Sequence, residues 1–271
     1  MSERVEAELL SVATEAARAA AGELAARFGA GHDGVRTKSS PTDLVSDADV
    51  AAEAAIRSVL ERRRPTDAVL GEEGGATGEG ELRWFVDPLD GTINFLFGIP
   101  AFAVSVACED EAGGLAGVVL DPIRDECFAA TRSGPPTLNG QPIAARAAGE
   151  LATALVATGF GYDAAVRTRQ ATVVARLLPR VGDIRRVGSA ALDLAWSACG
   201  RFDAYYERGV HRWDVAAGRL IAARAGLSVR ELPAAGEDAW GIVVAGGGLI
   251  DELVELVGGG GLGSLGAGGL D

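Results

Sequence analysis

The apolar positions of the chain follow one regime at its start and another after it. From about Val5 to Phe28, the residues Val5, Leu9, Val12, Ala16, Ala20, Leu24 and Phe28 recur near helical spacing, which predicts one long, Ala-rich amphipathic helix. Gly29, Gly31 and Gly34 break it, and a polar connection bearing Pro41 leads to Val45. Ser46 with Asp49 three residues on has the form of a capping box, and Val50, Ala54, Ile56 and Leu60 give a second helix its apolar face to about Arg64.

Short apolar runs then take over. Ala68 to Leu70 predicts a strand that delivers Gly71-Glu72-Glu73, and Gly74 to Gly80 reads as a loop. Trp84 to Val86 reads as the end of a buried strand, stopped by the turn formers Pro88, Asp90 and Gly91. Phe102 to Cys108 and Gly114 to Leu120 predict strands joined near Gly113, and Cys127 to Thr131 a third. From Leu151 the pattern alternates. Strands are expected at Leu155–Thr158, Arg185–Val187, Ala204–Glu207, Leu227–Leu232 and Gly241–Val244, with helices at Val166–Val181, from Gly188-Ser189-Ala190 to Cys199, at Asp214–Ala225 and at Leu249–Val257. This organisation argues an α/β, layered α+β fold with a mixed sheet. It has a β-rich half over 1–146, a second half over 147–271, and a Gly-rich, low-complexity tail over 258–271 that reads as disordered.

Composition narrows the function. A formal charge of −13 and a pI near 4.7 lack the basic face that nucleic-acid binding needs. The 48% hydrophobic content and mean hydropathy of +0.18 suit a globular chain, with no stretch as long and apolar as a membrane span. Cys108, Cys127 and Cys199 are odd in number and set in apolar runs, so they read as reduced core residues of a cytoplasmic protein.

The candidate chemistry is acidic. Glu72, Asp87, Asp90 and Asp214 each stand beside Gly, Pro or a helix start. Singly, each reads as a solvated turn or cap acid. Together, three rigid acid-bearing corners suit a hard divalent cation, which requires oxygen ligands. Asp49 is explained equally by its capping box and by a place in a site; Thr92 is either a turn hydroxyl or an orienter of water. Gly91 and Thr92 open a short turn whose amides could meet a phosphate, and Lys38 is either solvated or a site cation. Two histidines make a His-based metal site a poor reading.

The stretches Asp87-Pro88-Leu89-Asp90-Gly91-Thr92-Ile93-Asn94-Phe95 and Trp213-Asp214-Val215-Ala216-Ala217-Gly218 closely resemble the two signatures of the inositol monophosphatase family. The likeness extends to Lys38 through Val45, Gly71-Glu72-Glu73, Leu138-Asn139-Gly140 and Gly188-Ser189-Ala190-Ala191, in the family's order. It implies an αβαβα sandwich of the inositol monophosphatase and fructose bisphosphatase type. It also implies a homodimeric, lithium-sensitive phosphomonoesterase using two or three Mg²⁺ ions, with Mn²⁺ as a substitute and Ca²⁺ and Li⁺ as inhibitors. By the same resemblance, Glu72, Asp87, the carbonyl of Leu89, Asp90 and Asp214 are metal ligands. Thr92 and Glu72 activate water, with Asp49 beside Thr92. The substrate meets Asp90, Gly91, Thr92, Gly188, Ser189, Ala190, Glu207 and Asp214. Two segments depart from the family: Arg132 to Thr137 is irregular, and the Glu73 to Leu82 loop is short. The substrate implied is myo-inositol 1-phosphate. Alternatives are histidinol phosphate, a nucleotide 3′,5′-bisphosphate, fructose bisphosphate, or a non-catalytic role, either as a structural Mg²⁺- or Ca²⁺-binding protein or as a regulatory partner of the transcription machinery.

Overall fold

The structure, a computed structural model, describes residues 1–29, 36–37, 44–147 and 149–258. The Gly-rich tail from 259 on and Lys38 lie outside the described residues. In chain order the elements are α1 (Glu3–Arg27), β1 (Arg36–Thr37), β2 (Leu44–Val45), α2 (Asp47–Arg63), β3 (Ala68–Gly71), β4 (Gly75–Thr77), β5 (Arg83–Asp90) and α3 (Thr92–Leu96). There follow β6 (Ala103–Asp110), β7 (Gly113–Asp121), β8 (Glu126–Thr131), β9 (Thr137–Leu138) and β10 (Gln141–Pro142). The remainder is β11 (Leu155–Thr158), α4 (Ala164–Leu177), β12 (Asp183–Arg185), α5 (Ala190–Ala198), β13 (Ala204–Arg208), α6 (Arg212–Arg224), β14 (Ser228–Leu232), β15 (Gly241–Ala245) and α7 (Ile250–Val257).

Among the described residues an eight-stranded sheet has the order β10-β9-β8-β7-β6-β5-β3-β4 and is antiparallel except where β3 meets β5. A five-stranded mixed sheet has the order β12-β11-β13-β15-β14. Among the described residues three apolar cores lie between the layers. The helical stripe Leu9, Val12, Ala13, Ala16, Ala20 and Leu24 of α1 packs with α2 on one face of the first sheet, against Val86, Val104 and Val118. The other face, through Phe85, Ala107, Val119 and Phe128, meets α5 and α6, which also cover Ala157, Tyr205 and Val244 of the second sheet. Val156, Val243 and Leu253 anchor the outermost core, with Leu177 of α4. The result is the αβαβα sandwich, each fully buried Val, Leu or Ile side chain contributing about 1.5–3 kcal/mol of transfer free energy.

The layer between the sheets depends on small residues. A Cβ on Gly218 of α6 would stand 2.6 Å from the Leu194 Cβ of α5, and one on Gly117 of β7 would stand 3.0 Å from the Ala217 Cα. Small residues here let α6 lie close to both neighbours. Buried polar groups are paired where the layers join: the Trp84 indole donates to Asp67 Oδ2 at 2.9 Å, and Glu6 Oε2 accepts from the Ser133 amide and hydroxyl at 2.9 and 2.6 Å. The latter contact ties the irregular 132–137 segment to α1.

Several sequence expectations need correction. Gly75 to Thr77 is not loop but an edge strand, because its glycine-rich backbone still pairs with β3. The strand through Trp84 does not stop at Val86; it continues to Asp90 by way of a bulge. The strand expected at Arg185–Val187 lies at Asp183–Arg185, where parallel pairing with β11 fixes its register. The helix expected from Val166 begins at Ala164, capped by Asp163, and gives way after Leu177 to a 3₁₀ turn at Leu178–Arg180. The helix expected from Asp214 begins at Arg212. The β9–β10 hairpin was not foreseen, although Asn139 and Gly140, with φ of 50° and 77°, are the residues a type I′ turn requires. The cysteines are unpaired, with Cys108 and Cys127 buried.

Candidate active site

The site begins with parity. Along a regular strand, residues three apart point to opposite faces. In β5, Asp87 pairs with Ser105 while Asp90 pairs with Ala103, so three steps on β5 match two on β6. This one-residue bulge holds Pro88, which has no amide to give the ladder, and restores Asp87 and Asp90 to the same side. Asp87 is 2% exposed and its Oδ1 accepts the Leu89 amide at 3.0 Å.

Glu72 arrives from β3, whose parallel register places Gly71 beside Val86; the Glu72 amide then donates to the Val86 carbonyl at 3.2 Å. Asp214 arrives from the first turn of α6, where its Oδ2 accepts the His211 amide at 2.7 Å. The Ser105 hydroxyl, opposite Asp87, donates to the Trp213 carbonyl at 3.1 Å and so fixes that helix start beside the bulge. His211 stacks on Trp213, their ring centroids 4.7 Å apart.

A second group of contacts frames these acids. Thr92 Oγ1 lies 3.1 Å from both Asp49 Oδ1 and the Leu89 carbonyl oxygen. Asp49 is fully buried and its Oδ2 accepts the Ser46 amide and hydroxyl at 2.8 and 2.6 Å. Asp90 Oδ2 accepts from the Ser189 hydroxyl at 2.7 Å and the Ala191 amide at 2.6 Å, at the start of α5. Ser189 and the backbone near Ala190 therefore engage Asp90, while the Ala190 side chain joins the core. Gly91, with φ of 100°, is obligatory: a Cβ there would lie 3.0 Å from the Ala101 carbonyl and 3.2 Å from that of Gly188. Glu207 Oε2 accepts the Tyr205 hydroxyl at 2.9 Å, and a Cβ on Gly159 would fall 2.1 Å from the same oxygen.

Electrostatics join the acids into one cluster. Burial, then Glu72, Asp90 and Asp214, and a hydrogen bond with the Glu72 carboxyl hold Asp87 well above the usual carboxylate range. Burial and then Asp90 do the same for Asp214. Asp90 is pushed up by burial to about 6 despite the Ser189 and Ala191 donors, and Glu207 by burial to about 7. Asp49 is raised by burial, against the pull of its Ser46 and Thr92 contacts.

Sequence reasoning missed four contributors. The Asn94 amide spans the Ala101 and Val187 carbonyls at 2.7 and 2.9 Å, tying α3 to the turn before Gly188. Ser105, Glu53 and Asp193 were also passed over; each is a polar residue inside an apolar run, the one signal that marks it. Asp193, 1% exposed, has no hydrogen-bond partner for either oxygen among the described residues, and burial followed by Glu207 and Asp90 holds its carboxyl well above the usual range.

Among the described residues no three His, Cys, Asp or Glu side chains are gathered closely enough to form a ready metal site. The donor chemistry nevertheless fits a hard cation. The acids are all oxygen donors, and their mutual destabilisation in the charged form is what such an ion relieves.

A buried acidic corner between two sheets is thus the chemical centre of the fold. Residues 5–254 match the profile of the inositol monophosphatase family, and the chain belongs to that family, one of phosphoric monoester hydrolases. It is 44% identical over 242 residues to the inositol-1-monophosphatase SuhB of Mycobacterium tuberculosis, covering 85% of this chain and 83% of that protein. It is 41% identical over 226 residues to the Nus factor SuhB of Pseudomonas aeruginosa, covering 80% and 83%. The solved structure of the extragenic suppressor protein suhB from Bartonella henselae superposes with a TM-score of 0.85 at 34% identity, covering 93% of this chain and 99% of that one.

Proposed function

We propose that the protein hydrolyses a small phosphate monoester, myo-inositol 1-phosphate, with Mg²⁺ as cofactor. The observation that carries this reading is the joining of Asp87, Asp90, Asp214 and Glu72 into one electrostatic unit beside the Thr92–Asp49 pair. Glu72, Asp87, the Leu89 carbonyl, Asp90 and Asp214 would hold the cation. When bound, it would neutralise charge on the phosphate and the leaving alkoxide and lower the pKa of water. Two or three ions, Mn²⁺ substitution and inhibition by Ca²⁺ and Li⁺ belong to the same proposal.

The chain's own residues supply orientation. Thr92 has one hydroxyl proton for two acceptors, Asp49 and Leu89, so its lone pairs stay directed at a water on its remaining side. Glu72 takes that water's proton as the water oxygen bonds to phosphorus and the P–O ester bond breaks, the departing alkoxide then taking a proton from solvent to leave as the alcohol. The Gly91 and Thr92 amides receive the phosphate, and Gly188, Ser189 and Ala190 line the substrate side. Glu207, oriented by Tyr205, accepts from a polyol hydroxyl, which favours a cyclitol over the alternatives.

Release of phosphate from a panel of esters tests the substrate, and a preference for histidinol phosphate, a 3′,5′-bisphosphate or fructose bisphosphate overturns inositol phosphate. Asp87→Asn should stay folded and lose turnover by about two to three orders of magnitude, the several kcal/mol that a bound cation contributes to the transition state. The name of the Pseudomonas relative supports a second role beside the transcription machinery. Copurification of RNA polymerase with the Asp87→Asn protein would separate that role from catalysis. The two-half division at 146/147, a cytoplasmic location, and no affinity for nucleic acid or membrane complete the proposal. A homodimer is supported by Phe97 and Ile99, 72% and 47% exposed just beyond α3. Sedimentation as a monomer would remove it. No helix among the described residues is long and apolar enough to cross a membrane.

A further inference from the structure

We infer that Glu53 of α2, acting with Arg57, is a positioning residue that sets the Glu72 turn. As far as Glu72 serves the reaction, the inference rests on the phosphatase reading above. Glu53 is 2% exposed. Its Oε2 accepts the Glu73 amide at 2.7 Å, and its Oε1 accepts the Gly74 amide at 2.9 Å and Arg57 Nε at 2.7 Å. Arg57 continues the grip, donating to the Gly75 carbonyl at 2.7 Å and to Thr77 Oγ1 at 2.9 Å. Two side chains one helical turn apart thus hold the backbone immediately after Glu72.

The sequence Gly71-Glu72-Glu73-Gly74 is shaped around this carboxylate. A Cβ on Gly71 would lie 2.3 Å from Glu53 Oε1, and one on Gly74 would lie 2.6 Å from it. Only glycine at both ends lets Glu53 reach between them. With the Glu72 amide pinned to the Val86 carbonyl, the turn is held from β5 on one side and from α2 on the other. The same helix carries Asp49 one turn earlier, where it touches Thr92. Helix α2 therefore sets both proposed water-orienting groups from one rigid face, at positions 49, 53 and 57. A buried carboxylate with a charged partner and two backbone donors is costly to leave half-satisfied, so the turn has one stable arrangement.

The test compares wild type with Glu53→Ala, Glu53→Gln and Arg57→Ala, without and with Mg²⁺. In the metal-free protein, hydrogen exchange at the Glu73 and Gly74 amides should accelerate about tenfold or more in Glu53→Ala, the loss of roughly one net hydrogen bond. Calorimetric Mg²⁺ affinity and the Mg²⁺ requirement for phosphate release should weaken by about 10- to 100-fold, as for other residues that orient ligands. KM for the ester should stay unchanged at saturating Mg²⁺. Glu53→Gln should recover part of both effects, since its carbonyl still accepts one amide. Wild-type amide protection and Mg²⁺ affinity in Glu53→Ala overturn the inference, as does a change in KM alone. Should Glu53→Ala fail to fold, wild-type values for Glu53→Gln and Arg57→Ala overturn it. A wild type inactive on every ester, whose Mg²⁺ affinity still falls on Glu53→Ala, defeats the phosphatase reading and supports the positioning role.

Discussion

At the start of α2, Asp49 reaches back three residues to accept the Ser46 amide; at the start of α6, Asp214 reaches back three residues to accept the His211 amide. The local device is the same and the fates differ. Asp49 is fully buried, and three donors engage it: the Ser46 amide, the Ser46 hydroxyl and Thr92. Asp214 commits Oδ2 to its cap and is raised by burial and by Asp90. One acid is consumed in holding a neighbour; the other retains an oxygen for the cluster. A capping motif therefore says where an acid stands, and only its surroundings say whether it is spent.

The sharpest way to break this contrast is to neutralise each acid in turn. Asp214→Asn keeps a cap acceptor and should lower kcat by about two to three orders of magnitude while relieving repulsion in the metal-free fold. Asp49→Asn should lower activity by about 10- to 100-fold, an outer-contact effect. It should also cost about 0.5–2 kcal/mol of stability as the Ser46 contacts weaken. Equal losses of turnover in a side-by-side assay would erase the distinction.

Next in size is the coupling of pH to metal. Asp90 is held near 6 and Glu207 near 7, whereas both ionise near 4 when unfolded, so between those values the folded chain keeps protons that the unfolded chain has released. Their contribution to stability falls as pH rises from about 4 through about 6 to 7 and is level above. Because a cation needs the oxygens deprotonated, the rise in melting temperature on adding Mg²⁺ should be larger at about pH 8 than at about pH 5.5, and EDTA should abolish activity. A pH-independent Mg²⁺ effect, read by scanning calorimetry, would detach the metal from these acids.

The smallest effect is expected on the polyol side. Glu207→Gln keeps an acceptor for Tyr205 and should raise KM for the inositol ester about tenfold with kcat largely kept, the discrimination of one or two substrate hydrogen bonds. A fall in kcat alone, in steady-state kinetics, would move Glu207 from substrate recognition to the reaction itself.

How much of this was legible beforehand varies with the range of the interaction. The two long helices, the capping box at Ser46, the layered α/β class and the family membership follow from periodicity and from motifs whose partners lie within a few residues. The bulge at Pro88 was less visible, because a proline after a strand reads as a stop until the neighbouring strand shows pairing resumed at Asp90. Glu53 and Asp193 show in the sequence only as polar residues within apolar runs, because the groups they meet, the Glu73 amide for Glu53 and the Glu207 and Asp90 charges for Asp193, lie far along the chain.

Sequence alone carries the local frame: most of the helical and extended segments, the spacing of Asp87 and Asp90 about Pro88, and the glycines Gly91 and Gly218 of the two motifs. Hydrophobic periodicity and backbone preference are short-range, and short-range information suffices for those. Which acids share a field, that Asp49 is engaged by Ser46 and Thr92 while Asp214 keeps an oxygen, and that Glu53 of α2 meets the Glu73 and Gly74 amides all come from packing. Burial and Coulomb coupling depend on distances between residues brought together by packing three cores, and no local pattern contains them.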